Sequence, residues 1–153
     1  MKKFDFLVIF TLDDQRYALP LHAAERVVRI VAITPLPNAP DIILGVVNFQ
    51  GRVIPVINVR RRFRLPEREI TLTDKLVVAH TARRDVALMA DSVLDVIAGS
   101  EQKLVATANI LPKLEYMEGV VKLTDGLIFI HDLEKFLSLE EESSLDLALE
   151  ASR

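Results

Sequence analysis

The sequence predicts a mainly β chain made of two small closed barrels, with short helices and a C-terminal helix. Three observations lead there. Apolar and polar residues alternate with period two along several short runs, which is the strand signature. Two stretches of the chain return later in the same order. Single glycines sit in the polar breaks between paired apolar runs, where tight hairpins need positive φ. Short strands joined this way favour barrels, because closure removes exposed sheet edges. A length of 153 residues suits one compact domain or two small ones packed together.

The repeat sets the order of the elements. Leu7–Val28 overlays Leu76–Ile97 without a gap at an offset of 69 residues, with Leu7/Leu76, Val8/Val77, Ala18/Ala87, Leu19/Leu88 and Val27/Val96 identical. Gly45–Phe63 overlays Gly119–Leu137 at an offset of 74, where "GVVNFQ" meets "GVVKLT". Each module opens with a strand, Phe4–Leu12 or Lys75–Thr81. A polar turn follows, Asp13-Asp14-Gln15 or Ala82-Arg83-Arg84, then a second strand, Arg16–Leu19 or Asp85–Met89. A third β-rich run comes next, Arg26–Ile33 or Val93–Ile97. A hairpin then pairs Ile43–Phe49 with Val53–Ile57, or Val120–Leu123 with Leu127–Ile130, around Gly51 or Gly126. A short helix closes each module, with Asn58 or Asp132 at its N-cap and Val59 and Phe63, or Leu133 and Leu137, turned inward. Subdomain one spans about 14–65, with strand exchange from the N-terminus or C-terminus allowed, and subdomain two about 74–137. Residues 138–153 form a helical tail with Leu145 and Leu149 on one face.

Composition narrows the function. Half of the residues are apolar, enough for a large core and for an apolar docking surface. A net charge of −3 argues against a nucleic-acid binder. The chain has no cysteine, which excludes disulfide and thiolate chemistry and suits a reducing compartment. Asp5 and Thr11 interrupt the N-terminal apolar run, so it reads as a strand and not a signal peptide, and the protein reads as cytoplasmic. His22, His80 and His131 are far apart and form no spaced ligand motif, so no metal is expected. Neither a glycine-rich phosphate loop nor a nucleophile elbow occurs. The carboxylate pairs Asp13-Asp14 and Asp91/Asp95 have no catalytic partner nearby in sequence. The expectation is a protein that is not an enzyme and carries no cofactor. Arg60, Arg61, Arg62 and Arg64 read first as a solvated helix face and second as a patch for an acidic partner.

Several ordered segments resemble the CheW-type chemotaxis coupling family. "GVVNFQGRVIPVINVRRRF" (45–63) is similar to the family's Gly–apolar–apolar–Asn–apolar–Arg–Gly hairpin followed by Ile-Pro-Val, Asp-Leu-Arg and Phe. "ADSVLDVI" (90–97), "YMEGVVKL" (116–123) and "FTLDDQRYALPL" (10–21) resemble three further family segments. The resemblance runs from about Phe4 to Leu137 and implies two five-stranded SH3-like barrels sharing a core. It also implies a scaffold that joins the cytoplasmic tips of methyl-accepting chemoreceptors to a CheA-type histidine kinase. Such a protein would be monomeric alone, part of a receptor array in the cell, and neither inserted in the membrane nor bound to nucleic acid. The receptor helix would lie in the groove between the barrels, with Ala24, Gly45, Gln50 and Arg52 as candidate contacts. The kinase would dock end-on to barrel one, with Ile43, Val47 and Val53 as candidates. Two residues depart from the pattern: Gln50 stands where the family usually has Arg, and Asn58 where it has Asp. The first predicts weaker receptor coupling or a polar contact in place of an acidic one. A small-ligand-binding or nucleic-acid-binding β-barrel is the rival reading.

Overall fold

A computed structural model describes residues 6–98, 104–105 and 117–152. Phe4 and Asp5 of the predicted first strand lie outside the described residues. The strands are β1 (Phe6–Leu12), β2 (Gln15–Pro20), β3 (Ala24–Arg29), β4 (Ile43–Phe49) and β5 (Arg52–Ile57), then β6 (Lys75–His80), β7 (Asp85–Ala90) and β8 (Ser92–Ala98). The last three are β9 (Leu104–Val105), β10 (Met117–Leu123) and β11 (Gly126–His131). Helix α1 (Val59–Arg62) follows β5, and α2 (Leu139–Ala151) ends the chain.

Two mixed sheets form, one ordered β8-β1-β2-β11-β10-β9 and the other β3-β6-β7-β5-β4. Apart from β9 they are the same sheet built twice. Leu7 faces Pro20 as Leu76 faces Met89, and Gly45 faces Val56 as Gly119 faces Ile130. Ala18 pairs in parallel with Ile130 as Ala87 pairs with Val56. Each of these pairs is related by the two offsets read from the sequence. The hairpins are exchanged, however: β1–β2 completes the sheet of β8, β10 and β11, and β6–β7 completes the sheet of β3, β4 and β5. Each sheet therefore draws strands from both sides of the 65–74 linker.

The expectation of fully closed barrels needs correction. Among the described residues no ladder joins β3 to β4 or β8 to β9. The second sheet is bridged instead by the chain leaving β3. The Ile30 N–H donates to Asp74 O at 3.3 Å, and Thr34 and Val46 exchange backbone hydrogen bonds of 2.9 and 2.8 Å across β4. Gly45 makes that crossing possible, since a Cβ there would stand 2.3 Å from the Thr34 carbonyl oxygen.

Three cores explain the dense apolar runs. Leu7, Ile9, Ala18, Val121, Ile128 and Ile130 fill one sheet, and Val47, Ile54, Val56, Leu76, Val78 and Ala87 fill the other. Phe10, Leu12, Tyr17 and Leu19 meet Val77, Ala79, Val86 and Leu88 in a joint core between them, with Ile57, Val59, Phe136 and Leu145. Strands β1 and β6 are thus buried on both faces, so their sequences read as nearly continuous apolar runs. Asn58 Oδ1 accepts from the Arg61 N–H at 3.0 Å and Asp132 Oδ1 from the Glu134 N–H at 3.1 Å, the two caps expected from the repeat.

Candidate partner-binding surface

The β4–β5 hairpin turns at Gln50 and Gly51, with φ of 52° and 80°. Two successive positive φ values define the type I′ turn that matches strand twist, and the Gly51 N–H donates to Asn48 Oδ1 at 3.1 Å to fix it. Gln50 is exposed at the tip. Behind it a row of charged side chains crosses the end of the second sheet, one from each of four neighbouring strands: Glu25 on β3, His80 on β6, Asp85 on β7 and Arg52 on β5. Arg52 donates to Glu25 Oε2 at 2.7 Å and also to Asp85 Oδ2. The ring nitrogens of His80 face the other oxygen of each acid, at 2.7 Å from Asp85 and 3.3 Å from Glu25. The hydrogen bond from His80, helped by Arg52, holds the Asp85 carboxyl below its ordinary range against a desolvation that raises it. The hydrogen bond to Glu25 pushes the Arg52 guanidinium up. Phe49 lies beneath, with the Arg52 and Arg26 guanidinium carbons 5.4 and 5.8 Å from its ring centroid.

Glu25, His80 and Asp85 present ligand atoms within 4.8 Å of one another. Arg52 already supplies the counter-charge that a bound cation would bring, so the arrangement is an ion-pair cluster tying four strands together. Sequence reading singled out His80 and Arg52 separately. It missed Glu25, Arg26, Phe49 and Asp85, because only the exchange of hairpins brings β6 and β7 beside β3 and β5.

The candidate contacts divide by burial. Val53 is 61% exposed, whereas Ile43 and Val47 are 8% and 3% exposed. Ile43 and Val47 are therefore core side chains and not contact residues: in β4 the alternation turns them inward, toward the joint core and the core of the second sheet respectively. Gly45 is also buried, beneath the Thr34 crossing, and acts by making room. Ala24 is half-buried beside the joint core and pairs with Ala79. Gln50 and Arg52 remain at the rim.

The arginine cluster is a solvated face only in part: Arg64 is exposed, whereas Arg60, Arg61 and Arg62 are held in ion pairs. Arg60 is buried and makes bidentate contacts with Asp13 at 2.8 and 2.9 Å and with Asp91 at 2.8 and 3.0 Å. Its bonds to Asp13 hold that carboxyl below the usual range. Arg68 joins the network through Asp91 and Asp74, both at 2.6 Å. Arg61 pairs with Glu67 at 2.8 Å and Arg62 with Glu141 at 2.5 Å. The Asn58 amide donates to Glu67 at 2.9 Å, a bond that a carboxylate at position 58 would replace with repulsion.

The family model described as a CheW-like domain matches residues 7–141. The chain belongs to the CheW-like family. It is 32% identical over 139 residues to a chemotaxis protein CheW of Thermotoga maritima, covering 90% of this chain and 89% of that one. It is 27% identical over 140 residues to a chemotaxis protein CheW of Rhizobium meliloti, covering 90% of each. The crystal structure of the scaffolding protein TtCheW from Thermoanaerobacter tengcongensis superimposes with a TM-score of 0.80 at 26% identity, over 90% of this chain and 94% of that one. The mainly β, SH3-like CheW fold expected from the resemblance is the fold observed. No helix among the described residues is long and apolar enough to cross a membrane.

Proposed function

We propose that this protein is a non-enzymatic cytoplasmic scaffold that couples chemoreceptor tips to a CheA-type histidine kinase, and that it is monomeric on its own. The match of a CheW-like domain to residues 7–141 carries the reading. The two charged clusters support it, because the groups around Arg52 and around Arg60 are spent on one another and not gathered around a reacting centre. One cavity, lined by Asn58, Arg60, Arg68, Asp74 and Asp91 among others, measures about 70 Å³. Ligand pockets typically run from about 300 Å³ upward, so this one is too small. A more open depression between Ile30–Ile33 and Ile70–Leu72 measures about 380 Å³, but Thr71 is the one polar side chain in its lining, so no convergent polar set is there to orient a ligand. In the receptor contact we keep Ala24, Gln50 and Arg52, with Gly45 shaping the hairpin. In the kinase contact we keep Val53, with Ile43 and Val47 supporting its strand from inside.

The test is reconstitution with a receptor cytoplasmic signalling fragment and a CheA-type kinase from the same organism. A ternary complex on size exclusion and receptor-dependent kinase activity are expected, and binding to neither partner overturns the reading. Val53→Glu should weaken kinase binding by about tenfold or more, the usual worth of an exposed apolar anchor, without unfolding the protein. Unchanged kinase affinity removes Val53 from the interface.

A further inference from the structure

The cations near the hairpin tip are not equivalent. Arg52 is engaged on both sides, by Glu25 and Asp85, and His80 faces the same two acids. Gln50 is neutral. Arg26 is exposed, and its guanidinium stands over Phe49. Among the described residues its side chain makes no hydrogen bond or ion pair.

We propose that Arg26, whose guanidinium carbon lies 5.8 Å from the Phe49 ring centroid and which has no acid of its own, is the side chain with which this protein reads a carboxylate on the chemoreceptor signalling tip. The inference rests on the coupling function proposed above. A guanidinium over an aromatic face is attracted by the ring yet keeps its N–H groups available, and their fork fits a carboxylate in bidentate fashion. Arg29, three residues along the same strand, is exposed with neither stack nor ion pair and serves as the internal comparison. A nucleic-acid backbone is a poorer occupant. It needs several free cations in a row, whereas the neighbours of Arg26 at the hairpin are the neutral Gln50 and the already paired Arg52. A single acidic side chain on a protein surface needs only one free fork.

The experiment measures binding of a receptor cytoplasmic signalling fragment to wild type, Arg26→Gln, Arg26→Lys and Arg29→Gln at low and high salt. Arg26→Gln is expected to lose about tenfold or more, since hydrogen bonds to charged groups contribute roughly 1.5–3 kcal/mol and 1.4 kcal/mol is tenfold. It should also lessen the salt dependence. Arg26→Lys should fall between the two, keeping the charge but not the planar fork. Arg29→Gln should change affinity less than about twofold, as solvated surface charges do. Kinase binding, read in parallel, should be the same for Arg26→Gln and wild type. The proposal is overturned if Arg26→Gln stays within twofold of wild type, if Arg29→Gln loses as much, or if Arg26→Gln loses kinase binding equally, which marks a structural role. A wild-type protein that ignores the receptor fragment defeats the coupling reading and this inference with it. Wild-type binding that Arg26→Gln leaves intact defeats this inference alone.

Discussion

Gly45 and Gly51 belong to one hairpin, yet different physics holds each in place. Gly51 has φ of 80° and open space where a Cβ would go, so it is needed only for its backbone conformation. Gly45 has φ of 155°, and a Cβ there would meet Thr34 O at 2.3 Å and the Ile33 side chain at 2.8 Å. Gly51→Ala should therefore cost about 1 kcal/mol, the strain of one positive-φ residue. Gly45→Ala should cost about 3 kcal/mol or more, because overpacking against a backbone carbonyl adds to that strain. Urea unfolding of the two variants checks the difference. Equal, small losses would show that the Thr34 crossing yields easily and does not close the sheet. Arginine 60 shows what residue-level reading could not reach. Its neighbours in sequence are basic and its helix position looks solvated, while its acids lie 47 and 31 residues away on other turns. Asn58 was legible as a cap from the sequence alone. Its second bond, to Glu67, was not, since it depends on how the linker folds back over α1.

Helix α2 shows the same division between local signal and distant partner. Ser138 and Glu141 form a capping box, with the Glu141 N–H donating to Ser138 Oγ at 3.1 Å and Glu141 Oε1 accepting from the Ser138 N–H at 2.8 Å. The inward leucines are visible in the sequence, which offers Ser138 and Ser144 alike as the cap. The charged latch is not: Arg62 holds Glu141, and Arg84 holds Glu142 at 2.9 Å and also Asp146. Leu145 is 0% exposed in the joint core, whereas Leu147, one helical face away, is 69% exposed. Leu145→Ala is expected to destabilise by about 2–5 kcal/mol through lost burial and the cavity left behind, and Leu147→Ala by under about 0.5 kcal/mol. Thermal or urea unfolding reads both. If the two variants prove alike, α2 does not seal the joint core, and its ion pairs alone keep it in place.

At the scale of the whole molecule the exchange of hairpins follows from two short connections. Within a sheet of the observed order, the third strand of a module would lie antiparallel to the first and hence parallel to the second. Parallel neighbours in one sheet need a crossover of a dozen or more residues. Only residues 21–23 separate β2 from β3, and only Asp91 separates β7 from β8. Neither link can carry the chain back along a strand, so each hairpin must serve the other module's sheet. The sequence reading already placed short links there, residues 20–25 and 90–92, and the conclusion then required the antiparallel pairing of β1 with β8. The consequence is that neither half of the chain holds a complete sheet. A fragment of residues 1–72, cut beside the 91% exposed Leu72, keeps β1–β2 and β3–β5 but lacks the β6–β7 hairpin that joins β3 to β5. It would also leave Phe10, Leu12, Tyr17 and Leu19 only partly covered, because Val77, Ala79, Val86, Leu88, Phe136 and Leu145 of the joint core lie in the other half. Each half alone is therefore expected to give a collapsed NMR spectrum with little dispersion. An equimolar mixture of 1–72 and 73–153 should recover the dispersed spectrum of the intact chain. Were 1–72 to fold alone as a monomer with native-like β dispersion, the three-residue link would have permitted an unexchanged sheet, and the account of the exchange as forced by chain length would fail.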